Sequence, residues 1–200
     1  MKAPAGQLTA SPLQAQLADG TLAGDWVLDP RRSSARLRTT AFFGLAPVNG
    51  VFRELRGSAA IAPDGQASGT FTVAAASVDT NNARRDRHLR SATFLAAGDN
   101  PDITFRVSDI RLAGHNVVVA GALTVRDRTR PLSFDAAVSV PADGELCLDA
   151  GVRVDRAEFG LTWNPLGLIS TDNTLTVHAV FTRPEGTGSR GARGGEPADE

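Results

Sequence analysis

The sequence predicts an all-β fold, an antiparallel barrel of eight strands with one short helix. Three observations carry this prediction. Apolar and polar residues alternate with a period of two in eight segments, which recur about every twelve to sixteen residues. Turn-forming clusters separate them, among them Pro63-Asp64-Gly65, Ala113-Gly114-His115-Asn116 and Pro141-Ala142-Asp143-Gly144. The 200-residue chain, 42% hydrophobic and 22% charged, suits one globular domain with a sizeable core.

Residues 1–22 read as a flexible leader with one helical turn near Leu13 to Leu17. Residues 23–183 form the barrel domain. Its first alternating segment places Ala35, Leu37, Thr39 and Ala41 on one face. Val48, Gly50 and Phe52 open the next, and Phe71, Val73 and Ala75 the third. The only good helix candidate spans about 81–91, with Thr80, Asn81 or Asn82 as N-cap. Leu89 and Ala92 are its packing face, and Arg84, Arg87 and Ser91 its wet face. Strands resume at Ile103-Phe105-Val107, Val117 to Val125, Leu132 to Val140, Leu146 to Val154 and Leu175 to Phe181. Strands of ten residues span roughly 33 Å, long for a small sandwich and natural for a tall barrel. Residues 184–200 are Gly, Pro and charge without a large apolar side chain, a composition that does not offset its ordering entropy.

Composition excludes several function classes. A formal net charge of -1 gives no global field for nucleic acid or an anionic membrane, and no aromatic interleaves the arginines. All but one of the 21 basic residues are arginine, a composition bias that lowers the weight of any arginine cluster. One cysteine, Cys147, rules out an internal disulfide and fits a reducing compartment, with the residue as a small wall side chain. No apolar run reaches the length of a secretory signal or a membrane span. The expected location is therefore the cytoplasm, without stable membrane insertion.

His88, His115 and His178 share no metal-ligand spacing, and no nucleophile elbow, P-loop or dinucleotide fingerprint is present. No catalytic residue, metal or cofactor is assigned. Arg156 and Glu158 read as a structural ion pair near a strand end, with Gly160 allowing a bend. Trp163 to Ile169 is an apolar loop that reads either as a rim over a pocket or as simple packing. The basic patch Arg84, Arg85, Arg87, His88 and Arg90 reads as a solvated helix face balanced by Asp79, Asp86 and Asp99. If it lies at a barrel mouth, Arg84, Arg87 and His88 are head-group candidates for a pyrophosphate or carboxylate.

The order of several elements resembles the YceI-like family. Trp26-Val27-Leu28-Asp29-Pro30 is similar to its opening, and Val48-Asn49-Gly50-Val51-Phe52 to its small-then-Phe element. Ser77 to Thr80, Arg85-Asp86, His88-Leu89 and Pro101 to Phe105 resemble its central signature. Gly121 to Val125 with Arg130-Pro131-Leu132, and Arg156 to Leu161 with Glu158 at the acidic position, resemble its later elements. Two positions depart from the pattern. The aromatic pair after the helix is reduced to Phe94-Leu95, and Thr40 or Ala41 stands where a histidine is common.

The resemblance implies an extended, lipocalin-like barrel holding a long apolar chain, typically a polyisoprenoid, with no chemistry performed. Many members of the family are exported with a leader, which this reading does not find. The expected pocket lining is Leu37, Phe43, Phe52, Phe71, Phe94, Phe105, Leu123, Phe134, Phe159, Trp163 and Phe181. The partner is then a long-chain isoprenoid or fatty-acid-like lipid, carried or sequestered, with a homodimer left open. Two alternatives stand beside it. A cofactor-free cyclase or isomerase requires an ionisable residue inside the barrel, and the inner-face positions contain none. An interaction module of the stress-response kind has a core filled by interlocking phenylalanines.

Overall fold

The computed structural model describes residues 12–42, 45–114, 116–141, 144–164 and 167–184. Among the described residues there are eleven strands: β1 (Gly24–Leu28), β2 (Ser34–Ala41), β3 (Ala46–Phe52), β4 (Leu55–Ile61), β5 (Ala67–Ala74), β6 (Val78–Asp79), β7 (Asp102–Ala113), β8 (Asn116–Val125), β9 (Arg128–Ser139), β10 (Leu146–Asp155) and β11 (Asp172–Thr182). Two helices accompany them, α1 (Pro12–Ala18) and α2 (Ala83–Arg90).

Eleven strands make eight staves because three staves are broken. One edge of β11 pairs with β10. Its other edge meets β2 through Thr174 to His178, then β1 through Phe181 and Thr182. β1 and β2 therefore share one stave. β3 and β4 share the next, since β2 pairs with β3 and β1 with β4. β5 and β6 share the third, against β4 and β3. β7 to β10 complete an antiparallel ring that closes on β11. Closure through the β1–β11 pairing leaves no full-length free edge among the long strands, and β6 is the short end of the strand order.

The eight alternating segments all fall on strands. Alternation does not reveal β1 and β4. β1 is five residues long, and β4 reads Leu-Arg-Gly-Ser-Ala-Ala-Ile, where small residues blur the contrast between faces. A turn held by Asp29, whose Oδ1 accepts from the Arg31 amide at 2.9 Å, separates β1 from β2.

The register fixes two ends. At one lie the hairpins β4–β5, β7–β8 and β9–β10, together with α1. At the other lie α2, the β8–β9 turn and the segment joining β10 to β11. α1 falls within residues 1–22, where a helical turn is expected near Leu13 to Leu17. α1 starts at a proline, whose missing amide proton costs nothing in the first turn. Leu13 and Leu17, one helical repeat apart, pack onto the barrel interior. Leu22 follows at 2% exposed. The Trp26 indole donates to the Leu22 carbonyl at 3.0 Å, and Arg183 stacks over that indole at 4.6 Å. Arg183 also donates to the carbonyls of Ala23 and Thr21.

α2 occupies the expected place with Asn82 as its N-cap, the side chain accepting from the Arg85 amide at 3.0 Å. Leu89 packs inward as expected, but Ala92 is exposed. Leu95 and Ala97 take that place, because the chain turns back after Ser91. Asp86 is not a counterion to the helix arginines. It is buried and accepts from the Thr80 amide at 3.0 Å and hydroxyl at 2.6 Å. Asp79 bonds Arg53 at 2.8 Å, across β3 and β6.

Candidate functional site: an apolar cavity with a cationic end

A cavity of about 690 Å³ runs through the barrel, from Leu13 and Leu17 at the α1 end to Phe159, Leu161 and Trp163 at the α2 end. The inward positions of every long strand line it. Leu37 enters from β2, Phe52 from β3 and Phe71 from β5. Phe105, Leu123 and Phe134 come from β7, β8 and β9, and Phe181 from β11. Phe94, Phe159 and Trp163 close the α2 end. Phe43, the remaining lining candidate, lies outside the described residues, as does His115.

Size alternation keeps this interior from filling. The Phe105 and Phe134 rings meet at 5.4 Å, tilted by 48°. Phe105 has room because Gly121 faces it: a Cβ there would come within 2.7 Å of the ring and also meet the Arg106 carbonyl. Ala35, Ala150 and Ala179 leave space on the neighbouring staves, and all three line the cavity. An eight-stranded barrel is just wide enough for its own side chains or one slender ligand, so small residues decide between the two.

The expectation of a lining without ionisable residues is overturned. Arg85, His88 and Arg156 face the cavity at the α2 end. Arg84 and Arg87, the other head-group candidates, are exposed and outside the lining. Helical geometry explains the division. Arg85, His88 and Leu89 share the inward face at spacings of three and four, whereas Arg84 and Arg87 share the outward one.

Arg85 is tied to the loop before α2, its Nε donating to Thr80 Oγ1 at 2.7 Å and Nη2 to the Thr80 carbonyl at 2.8 Å. Arg156 is 5% exposed, at the point where β10 passes into a short 3₁₀ turn. It makes no ion pair with Glu158. Its Nε donates to the Ser170 carbonyl at 3.1 Å, and its Nη1 donates to the carbonyls of Trp163, at 3.1 Å, and Leu161. Arg156 thus clamps the β10–β11 connection from inside. Burial pulls its guanidinium below the ordinary value, and the neighbouring Asp155 charge opposes this. Gly160, at φ 73°, supplies the left-handed residue that ends the turn.

The signal for Arg156 was in the sequence. Val152 and Val154 point inward, and two residues further the same period reaches Arg156. At Trp163 and Ile169 the apolar loop contributes to the cavity wall. Asn164 braces it, exchanging hydrogen bonds of 2.8 Å with the amide and carbonyl of Ile169.

Comparison with known proteins bears on this barrel directly. The model of the YceI-like domain matches residues 26–181. The chain belongs to the YceI-like family. A UPF0312 protein of Serratia proteamaculans is 34% identical over 117 residues, covering 56% of this chain and 60% of that protein. The YceI protein of Escherichia coli is 40% identical over 65 residues, 32% of this chain and 34% of that one. These alignments thus span less than two thirds of each relative. Among solved structures, Burkholderia cenocepacia BcnA superposes with a TM-score of 0.70 at 19% identity, over 78% of this chain and 99% of BcnA. A polyisoprenoid-binding domain from Saccharophagus degradans, implicated in plant cell wall breakdown, superposes with a TM-score of 0.66 at 16% identity, over 80% of this chain and 98% of that domain. At such identities the likeness is one of fold, and the fold is the lipocalin-like YceI barrel.

Proposed function

We propose that this YceI-like chain binds a long-chain amphiphile, a polyisoprenoid or a fatty-acid-like lipid, inside its barrel and acts as a carrier or sequestering protein. The cavity is the observation that carries the reading. It is continuous, about 690 Å³, within the range of small-molecule sites, and its walls are aliphatic and phenylalanine side chains for most of their length. Burial of each CH₂ group is worth roughly 0.8 kcal/mol, so about ten of them contribute roughly 8 kcal/mol before ordering costs. Such a wall selects by length and width and holds a tail without hydrogen bonds. The polyisoprenoid-binding character of the Saccharophagus domain, on the same fold, supports an isoprenoid tail.

A binding role accounts for the site better than an enzymatic one. The ionisable lining groups at the α2 end are two arginines, both engaged with chain oxygens, and a histidine. None has a carboxylate partner positioned for proton transfer. Native mass spectrometry of cell-purified protein, followed by solvent extraction, tests the proposal. A co-purifying long-chain lipid is expected. A protein that arrives empty and takes up neither polyprenyl nor fatty-acyl ligands refutes it.

A further inference from the structure

Two buried nitrogens at the α2 end of the cavity lack a hydrogen-bond partner: Arg156 Nη2 and His88 Nε2. Both residues line the cavity. They share the same two aromatic neighbours. The His88 ring lies 5.9 Å from Phe94 and 4.1 Å from Trp163. The Arg156 guanidinium lies 5.8 Å from the Phe94 ring, and its Nη1 holds the Trp163 carbonyl.

An unpartnered buried donor forfeits its hydration without return. The cost is larger for a cation, and the oxygens that Arg156 reaches inside the protein are all neutral carbonyls. Its third nitrogen, Nη2, is thus an unused charged donor at the end of a greasy channel. His88, as part of α2, brings a second nitrogen to the same aromatic pair.

We propose that this end is a head-group subsite for an anionic oxygen, carried by a carboxylate or a phosphate monoester at the end of the long-chain ligand, with Arg156 Nη2 and His88 Nε2 as its contacts. The inference rests on the reading of the cavity as a lipid site and adds the chemistry of the ligand's polar end. Phe94 and Trp163 screen the contact from water, which strengthens it. A guanidinium hydrogen bond to an anionic oxygen is about twice as strong as a neutral one. The exposed Arg84 and Arg87 take no part.

The test uses the full chain, stripped of lipid, and four probes with twenty-carbon tails: geranylgeranyl monophosphate and geranylgeraniol, arachidic acid and arachidyl alcohol. Calorimetric titration should show at least one acid binding tenfold or more tightly than the alcohol with the same tail. The prenyl pair and the acyl pair separate a phosphate from a carboxylate source. The acid-to-alcohol ratio should fall toward one in His88→Gln and in Arg156→Lys. Should Arg156→Lys not fold, the wild-type ratio and His88→Gln decide. Equal affinity of acid and alcohol in both pairs, or a ratio unchanged in His88→Gln, overturns the head-group assignment while leaving the tail site standing. Failure of all four probes to bind overturns the lipid reading itself.

Discussion

The imidazole of His88 lies 4.1 Å from the indole of Trp163, tilted by 51°, so helix α2 and the β10–β11 connection meet across the end of the cavity. The chain has two tryptophans. Trp26 is 1% exposed in the core, whereas Trp163 is 44% exposed at the rim. Ligand entry at the α2 end should therefore shift and enhance the emission of Trp163 alone. Stopped titrations on wild type and Trp163→Phe check this: the shift disappears in the variant. A shift that persists there would place the event elsewhere.

Arg156 is a structural clamp as well as a cavity group. Arg156→Met removes donors from the carbonyls of Leu161, Trp163 and Ser170. Each hydrogen bond to a charged group is worth about 1.5–3 kcal/mol, so the variant should lose about 3 kcal/mol or more by chemical denaturation. Glu158→Gln, which breaks no bond to Arg156, should fall within about 0.5 kcal/mol of wild type.

Gly121 keeps the channel open by making room for Phe105. Gly121→Val forces the ring off its position and strains the β7–β8 pairing opposite Val107. Overpacking of this kind costs about 1–3 kcal/mol. Thermal unfolding should show the loss, and tail affinity should fall with it.

The surface carboxylates predict an acid limb of stability. Asp29 is held below its ordinary value first by its hydrogen bond from Arg32, then by the Arg31 amide. Asp79 is held down first by the Asn81 amide, then by Arg53. A depressed folded value means that the unfolded chain binds more protons between the two values, so stability rises with pH there. The contribution is full above the ordinary carboxylate value and is lost as pH falls through the folded one. Carboxyl NMR titration should find both groups below 3.8. Arg32→Gln should move Asp29 back toward it and leave Asp79 in place.

Strand periodicity made most of the barrel legible before any coordinates. Leu37 and Phe105 read as interior because the residues on either side of each are polar, Arg36 and Arg38, and Thr104 and Arg106. The broken staves were not legible, because β1 is short and β4 is built of small residues that bury without contrast. Leu13 and Leu17 read as a helical turn, but what surrounds them includes barrel residues distant in sequence, and Arg183, over 160 positions on, ties down the segment that follows the turn at Thr21, Ala23 and Trp26. The inward charge was missed for a different reason. The inward period of β10 runs on past Val154 to Arg156, just beyond the strand's last apolar residue, and the basic segment 84–90 carries Arg85 with His88 on one helical face and Arg84 with Arg87 on the other.

Calorimetric titration of the stripped chain with a long polyprenyl or fatty-acyl ligand, repeated at several temperatures, tests the hollow barrel most directly. The account predicts saturation at one ligand per chain with a negative heat-capacity change, the mark of apolar burial. It also predicts at least a tenfold loss of affinity in a folded Ala35→Phe, Ala150→Phe double variant that fills the wall. No saturable binding, or affinity unchanged in the filled variant, would contradict it.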